Sequence, residues 1–410
     1  MIRKTLLLIA ILACFGSAAP CFAGCSGGSP TWRAATAAAS DVQACVSSAS
    51  SGDTIMVPAG TVSYGGAVDI PSSKCLTING QGLVIVTSSP AFTLEPSGSC
   101  ESRITGFTFT GGSSNPPNTD INVTSNTSSS AYRIDHNTFT NSGQSIFLVV
   151  SGNGPGLIDH NTFTGGGASE DIHNLGMGAG NEAGWQDNIV PGGSQMVFVE
   201  DNTFNDSDTS VINSGIESYY GARTVLRHNV FNFTQIDQHG TPGNVGARWW
   251  EAYDNTFNNL GQNQCCYITM RGGTGVIWGN VAVGNNQGGG SIDLYYEESG
   301  TWPQAWQPGS GINGDTTPHN ACGSLNSAPA YVWGNSSNMP VTSQTSSLVE
   351  LNRDYFSSST QPASMSWEES SSDTCSTKYN YVPYTYPHPL QGTQTTTVAA
   401  PTGLTAVVQQ

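Results

Sequence analysis

One pattern of apolar and polar residues returns along this chain of 410 residues. An apolar residue is followed by any residue, a polar residue, Asn, any residue and Phe, as in RIDHNTF at 133–139 and LIDHNTF at 157–163. Most copies lie 24 to 27 residues apart, and two longer intervals of 41 and 55 residues indicate insertions. The repeated asparagines are Asn137, Asn161, Asn202, Asn229, Asn255, Asn280 and Asn335.

This period predicts an all-β fold, a right-handed parallel β-helix with coils of about 25 residues, since such a length holds a few short strands and their turns. Asn tolerates the left-handed backbone of a sharp turn, so we expect the repeated asparagines at coil corners, stacked as a hydrogen-bonded ladder. Inside the coils we expect a stack of Phe139, Phe163, Phe204, Phe231 and Phe257. The histidines that precede the asparagines are then scaffold residues, namely His136, His160 and His228.

The two ends of the chain differ from the repeat. Residues 1–23 begin with MIRK and an apolar run, which predicts an export signal and a secreted protein, with a lipid anchor at Cys25 as the alternative. Ser40 and Gln43 form a capping-box pattern, which predicts a short helix to about Ala49 that covers the open end of the solenoid.

The predicted β-helix domain spans residues 24–390. A Thr-rich linker at 391–400 follows it. Residues 401–410 resemble the first strand of a fibronectin type III domain that then stops.

Charge and cysteine content limit the class of protein. The formal net charge is −17, which argues against nucleic acid as a partner because phosphates demand a basic surface. We predict a monomer with no membrane span beyond the export signal. The eight cysteines after residue 23 are an even number, which predicts disulfides in an exported chain. Adjacent Cys265 and Cys266 are expected to reach different partners, with Cys322 and Cys375 as candidates.

Reactive side chains are concentrated between residues 217 and 271, in a chain of which only 10% is charged. Arg223, Arg248 and Arg271 lie 25 and 23 residues apart, about one coil each, so we expect them to line up on one face. Their expected carboxylate partners are Glu217, Asp237 and Glu251. The alternative is a purely structural ladder of ion pairs, because such networks are common.

His239 is the histidine that we expect to be catalytic. It lies outside the repeat and begins a Gly-rich run, QHGTPGNVGAR, which is typical of a loop over a groove. Long insertions at 165–195 and 285–330 are also expected to be functional loops. Aromatic side chains with a polar atom suit sugar rings, so we expect substrate contacts from Tyr219, Tyr220, Trp249, Tyr267, Tyr295 and Trp302, together with Asp237.

The repeat, the opening DVQACVSSASSGDTIMVPAGT and the ending YTYPHPL resemble secreted β-helix proteins of the pectate-lyase-like superfamily. The resemblance implies a polysaccharide lyase that cleaves an anionic, uronate-containing polysaccharide by β-elimination. Such a reaction needs a base for the proton next to the uronate carboxylate, and cations that neutralise that carboxylate. Calcium is a possible cofactor.

The expected roles in a lyase follow from this chemistry. His239 or Arg248 is the base, Arg223 and Arg271 clamp the carboxylate, and Tyr219 or Tyr220 is the acid. Glu251 orients Arg248 or binds a metal ion, for which the candidate ligands are Glu217, Asp237 and Glu251.

Two alternatives remain open at this point. A glycoside hydrolase needs a pair of carboxylates, which Asp237 with Glu251, or Glu217 with Glu251, would supply. A non-catalytic glycan-binding or adhesin module would use the same groove without turnover, because this architecture hosts many functions.

Overall fold

A computed structural model describes residues 24–392 of the protein, except 98–99, 114–117, 126–130, 142, 144–145, 153, 167–169, 178–188, 207, 241–245, 262, 285–288, 295–328, 344–348 and 366–379. The predicted export signal, nearly all of the linker and the fibronectin-like segment lie outside these residues. So do Tyr295, Trp302, Cys322 and Cys375.

The described chain forms an all-β parallel solenoid of about ten turns with coils of about 26 residues, which confirms the predicted fold class. The strands belong to a first sheet of 20 strands and a second sheet of 10. A typical coil contributes two strands to the first sheet, separated by a corner, and one strand to the second sheet. Each strand pairs in parallel with the equivalent strand one coil later.

The first row of the first sheet starts after β1 (Cys25–Gly28), which pairs antiparallel with β2. The row consists of β2 (Thr31–Ala34), β3 (Thr54–Met56), β6 (Thr77–Val86), β8 (Glu101–Phe109), β10 (Ala131–Asp135), β13 (Gly156–Asp159), β16 (Val197–Glu200), β19 (Arg223–Arg227), β22 (Trp249–Tyr253), β25 (Thr274–Trp278), β28 (Ala330–Trp333) and β30 (Tyr355–Ser358).

The second row of the same sheet follows the corner, and β6 and β8 run through both rows. Its other strands are β4 (Gly60–Val62), β11 (Thr138–Thr140), β14 (Thr162–Gly165), β17 (Thr203–Asp206), β20 (Val230–Asn232), β23 (Thr256–Asn259) and β26 (Val281–Ala282).

The second sheet closes each coil. It consists of β5 (Val68–Ile70), β7 (Phe92–Leu94), β9 (Ile121–Thr124), β12 (Leu148–Ser151), β15 (Glu170–Asn174), β18 (Ser214–Ser218), β21 (Gln235–Gln238), β24 (Ile268–Met270), β27 (Ile292–Leu294) and β29 (Val341–Thr342).

The repeated asparagines form the predicted ladder at the corner between the two rows. The side-chain oxygen of each accepts a hydrogen bond from the backbone N–H of the asparagine one coil earlier, at 2.9 to 3.1 Å from Asn137 to Asn335. The left-handed residue, however, is the one before each asparagine, such as His136 with φ of 53° or Asp201 with φ of 58°. The expectation that Asn itself adopts this backbone is wrong, because its side chain turns inward to reach the next coil.

The expected stack of phenylalanines is also present. From Phe139 to Phe257, successive rings lie parallel with centroids 4.8 to 4.9 Å apart. The histidines before the asparagines are scaffold residues as predicted. His136 and His160 stack on each other at 5.1 Å, and His228 packs against Tyr386.

A helix covers the N-terminal end of the solenoid, as predicted. Helix α1 (Ala39–Ser48) buries Val42, Cys45 and Val46 against the first strands. The capping-box prediction is wrong, because the N-cap residue is Ala38. The side chain of Gln43 instead bonds the backbone of Asp69 in the second sheet, at 2.7 and 3.1 Å, so it fastens the helix to the first coil.

The described cysteines form three disulfides, Cys25–Cys45, Cys75–Cys100 and Cys265–Cys266. The expectation that Cys265 and Cys266 reach different partners is therefore wrong, since the two adjacent residues close a small ring with each other. The alternative of a lipid anchor at Cys25 does not fit this structure, because its sulfur is bonded to Cys45.

The aromatic and proline-rich segment 380–392 lies against the outer face of the first sheet. Arg227 holds it through hydrogen bonds to the backbone oxygens of Tyr384 and Thr385, at 2.6 and 2.9 Å. Arg133 bonds the backbone oxygens of Leu390 and Gln391, beside the 3-10 turn Pro389–Gln391. No helix among the described residues is long and apolar enough to span a membrane.

Candidate active site on the second sheet

A cavity of about 460 Å³ opens on the outer face of the second sheet. We call it the carboxylate pocket, because three acidic side chains line it. The lining residues are Glu170, Ile212, Glu217, Tyr219, Gln235, Asp237, His239, Asn263, Cys265, Thr269 and Arg271.

Strand alternation explains why polar side chains face the pocket. Strand neighbours point to opposite faces of a sheet, and the isoleucines of β15, β18, β21 and β24 point into the core. The residue after each isoleucine therefore points outward, and these residues are in register on successive coils. They form an outward column of His173, Glu217, Asp237 and Thr269.

The strand ends add a second column. Tyr219, His239 and Arg271 each follow a strand of the second sheet, and the backbone N–H of each bonds an oxygen of the preceding coil at 2.8 to 2.9 Å. The rings of Tyr219 and His239 stack at 4.6 Å with an angle of 22° between them. His239, which the sequence placed outside the repeat, thus lies in the pocket beside a tyrosine.

Asp237 and Arg271 form an ion pair within the pocket. The Nε–H of Arg271 donates to one carboxylate oxygen of Asp237 at 2.9 Å, and Nη2 donates to the other. A two-point contact of this kind fixes the orientation of both groups. The expected pairing of an arginine with Asp237 is therefore present.

Glu217 differs from Asp237 because its partner is the phenol of Tyr219. Burial, together with the negative charges of Asp237 and Glu170, raises the pKa of Glu217 to about 8, against the opposing effects of Tyr219 and His173. Glu217 is therefore protonated at neutral pH. Burial also raises the pKa of Tyr219, and the neighbouring Glu217 adds to this effect.

Glu170 occupies the opposite protonation state. Burial raises its pKa, but the hydrogen bond with His173 and nearby positive charges outweigh burial and lower the pKa overall. Glu170 is thus ionised at a pH where Glu217 still carries its proton. Two carboxyl groups whose environments drive their pKa values apart are the arrangement that acid–base chemistry requires.

Glu170, His173 and Glu217 could also hold a divalent cation. Each offers one ligand atom, and the three atoms lie within 4.8 Å of one another. One imidazole nitrogen and two carboxylates suit Zn²⁺, whereas Ca²⁺ prefers oxygen ligands throughout. Of the expected metal ligands, only Glu217 belongs to this group.

The expected alignment of three arginines is wrong. The register pairs Arg223 with Trp249, and Trp249 with Thr274, so Arg248 lies one position before the partner of Arg223. Arg271 belongs to the second sheet, whereas Arg223 and Arg248 lie at the first. The spacing of about one coil did not predict the alignment, because two residues on different sheets can also be separated by almost one coil length.

Glu251 and Trp249 also lie away from the pocket. Glu251 is fully buried under the segment 380–392, where it accepts hydrogen bonds from the Tyr381 hydroxyl at 2.6 Å and the Trp249 indole at 2.9 Å. The two carboxylate pairs proposed for a hydrolase both included Glu251, so the structure separates them. Tyr267 is buried in the core against Phe257.

Part of the pocket is not evident from the asparagine motif or from the dense stretch 217–271. Glu170 and His173 lie within the predicted insertion 165–195, and nothing in the sequence pattern marks Ile212, Gln235, Asn263, Cys265 or Thr269 as a binding or catalytic residue. One signal was available, because the second-sheet strands repeat isoleucine followed by a polar residue. The pairs begin at Ile172, Ile216, Ile236, Ile268 and Ile292.

Comparisons with protein-family models, curated proteins and solved structures found no match for the chain. The resemblance to pectate-lyase-like proteins and to a fibronectin type III domain therefore gains no support from them. The case for a functional site rests on the carboxylate pocket itself.

Proposed function

We propose that the protein is a glycoside hydrolase that cleaves a polysaccharide outside the cell in the carboxylate pocket. The observation that carries the proposal is the convergence of Glu170, Glu217 and Asp237 in one cavity, each with a different partner. Glu217 accepts from a phenol, Glu170 contacts an imidazole, and Asp237 pairs with an arginine. The three disulfides are compatible with an extracellular location.

The chemistry assigns Glu217 as the general acid and Glu170 as the nucleophile. Glu217 donates its proton to the glycosidic oxygen as the bond from that oxygen to the sugar carbon breaks. A carboxylate oxygen of Glu170 attacks the same carbon and forms a bond to it. Glu217 then takes a proton from a water molecule, whose oxygen attacks that carbon, breaks its bond to Glu170 and releases the sugar. Oxygens of the two groups lie within 4.8 Å, which favours this retaining route, since inverting enzymes separate the carboxyl groups by about 6.5–9.5 Å.

Asp237 and Tyr219 have supporting roles in this scheme. Asp237, oriented by Arg271, accepts a hydrogen bond from a sugar hydroxyl, and its charge favours the protonated form of Glu217. The phenol of Tyr219 fixes the carboxyl group of Glu217. With Glu217 protonated, two ionised carboxylates, Glu170 and Asp237, face one arginine in the pocket, which favours a neutral polysaccharide over an anionic one.

The second candidate is the polysaccharide lyase that the sequence suggested, and the grouping of Tyr219, His239 and Arg271 favours it. His239 would take the proton next to the uronate carboxylate, and Tyr219 would return a proton to the leaving oxygen. Arg271 already neutralises Asp237, however, and Arg223 and Arg248 do not line the pocket. The carboxylate of a uronate thus lacks the cationic clamp that elimination needs, unless calcium supplies it.

A panel of neutral and acidic polysaccharides tests the proposal. We expect new reducing ends without the ultraviolet absorbance of an unsaturated uronate, and no loss of activity in the presence of a chelator. Both signals together, abolished in His239→Ala, would establish the lyase instead. A protein that binds a polysaccharide on the panel but releases no product would be a glycan-binding module.

A further inference from the structure

The carboxylate pocket has two chemically different ends. All strands of the second sheet around it are parallel, so residues that follow the strands lie at one end and residues that precede them lie at the other. Tyr219, His239 and Arg271 follow their strands and form a polar end. Ile212 and Cys265 precede β18 and β24 and line the opposite end. The four residues of β21 separate the ends by about 13 Å, at about 3.3 Å per residue.

The opposite end is apolar and exposed. Ile212 is a large hydrophobic residue with 55% of its surface exposed. Cys265 is exposed as well, whereas its disulfide partner Cys266 is buried. A disulfide between adjacent residues offers a rigid surface of sulfur and carbon atoms, because the small ring removes the rotation that two free side chains would have. We call Ile212 and this disulfide the sulfur rim.

Hydrogen bonds hold the two parts of the sulfur rim together. The buried side chain of Gln264 donates to the backbone oxygen of Asn213 at 2.8 Å, which joins the residue before Cys265 to the residue after Ile212. Its side-chain oxygen accepts from the backbone N–H of Gly261 at 2.9 Å, and Asn263 donates to the backbone oxygen of Ser210. The rim is therefore ordered before any ligand arrives, which lowers the entropy cost of binding.

We propose that the sulfur rim is a sugar-binding subsite, in which Ile212 and the Cys265–Cys266 disulfide contact the C–H face of a residue next to the one cleaved. This deepens the proposed function and rests on it. A sugar ring combines an apolar face with a hydroxylated edge, and the rim offers an apolar surface beside the polar side chains of Gln235 and Asn263. Ligand sites commonly combine apolar contacts with a few oriented polar groups.

The size of the rim argues against a protein as its occupant. One isoleucine and one disulfide are far smaller than the area of about 800 Å² per partner that a stable protein interface buries. The rim is also continuous with the carboxylate pocket, so its occupant and the reacting group belong to the same molecule.

Two variants test this subsite. Ile212→Ser and the double variant Cys265→Ala with Cys266→Ala should raise KM about tenfold on the polysaccharide that the panel identifies, with kcat unchanged, because they remove apolar contact away from the reacting bond. Leu83→Ser is the matched control for the isoleucine, since Leu83 is 59% exposed on β6 in an early coil. Cys75→Ala with Cys100→Ala is the control for removal of a disulfide.

A binding measurement separates the subsite from catalysis. In affinity electrophoresis through gels that contain each polysaccharide of the panel, the wild-type protein should be retarded, the rim variants less so, and both controls like wild type. If the rim variants are less retarded than wild type but the wild type cleaves no polysaccharide, the hydrolase is refuted and the subsite is supported. Cleavage with an unchanged KM in both rim variants, or no retardation of the wild type by any polysaccharide, would overturn the subsite.

Discussion

Glu217 and Asp237 occupy the same register position on adjacent strands, yet one accepts from the phenol of Tyr219 and the other from the guanidinium of Arg271. Stacking of coils in a solenoid brings these two carboxyl groups close together, and their different hydrogen-bond partners give them different environments. Burial raises the pKa of Glu217, and the negative charge of Asp237 beside it raises the pKa as well, so Glu217 holds its proton more tightly. The coil repeat thus produces an acid from a pair of chemically similar residues.

Replacement of the proposed acid should abolish hydrolysis while the fold persists. We expect Glu217→Gln to lower kcat about 10²–10⁴-fold, because the amide preserves the shape of the side chain but has no acidic proton to donate. The exposed Glu95→Gln is the control, and its activity should equal that of the wild type. Full activity of Glu217→Gln, with the fold intact, would assign the acid to another residue.

The free energy of unfolding should depend on pH because Glu217 keeps its proton in the folded protein. The unfolded chain loses this proton near the ordinary pKa of 4.5, whereas the folded protein keeps it to about pH 8. The folded state therefore binds more protons in this window, and the contribution of Glu217 to the free energy of unfolding decreases as pH rises through it. Below the window the contribution is complete, and above it the contribution is lost.

Glu217→Gln removes the titrating group, so the variant does not lose this contribution as pH rises. We therefore expect Tm of the variant relative to wild type to rise between about pH 5 and about pH 8. The difference between the two proteins isolates Glu217 from other groups that titrate there, such as Asp206 and Glu101, whose burial raises the pKa of each to about 7. A difference in Tm that is constant over this range would show that Glu217 is ionised in the folded protein.

The fold was predictable because its signal is local and repeated. Every copy of the motif carries its own corner asparagine and its own core phenylalanine, so an insertion between copies does not erase the pattern. Asn161 and Asn202, for example, lie 41 residues apart and still form adjacent rungs. The residue with the left-handed backbone was harder to predict, because it precedes each asparagine and varies among His, Asp and Gly from coil to coil, whereas the asparagine itself is constant.

The site was predictable only where reactive residues are dense in the sequence. Glu217, Tyr219, Asp237, His239 and Arg271 lie within one stretch, and all of them line the pocket. Arg223, Arg248, Glu251 and Trp249 share that stretch but are at or on the first sheet, whose outer face a distant segment covers. No spacing rule distinguishes the two sheets, because the second-sheet strands carry no asparagine motif and follow insertions of unequal length.

The asparagine ladder should contribute strongly to stability at its centre. Asn229 is buried, accepts from the backbone of Asn202 at 3.0 Å and donates to the backbone oxygen of Val199 at 2.8 Å. Asn229→Ala leaves these buried groups without partners, so we expect a loss of about 2–4 kcal/mol in urea unfolding. Asn335 is a half-buried rung near the C-terminal end, and Asn335→Ala should cost less. Equal losses of unfolding free energy in the two variants would mean that the burial of an asparagine does not decide its contribution to stability.

The bond between Cys265 and Cys266 should be detectable by alkylation and mass spectrometry. In the folded protein without reductant, we expect the peptide that contains both cysteines to remain unlabelled and to lack two hydrogens relative to its dithiol form. A mild reductant should allow both cysteines to be labelled, because Cys265 is exposed, while Cys25 and Cys45 stay protected by burial. A peptide cross-linked from Cys265 or Cys266 to Cys322 or Cys375 would instead support the pairing expected from the sequence, and the sulfur rim would lose its rigid ring.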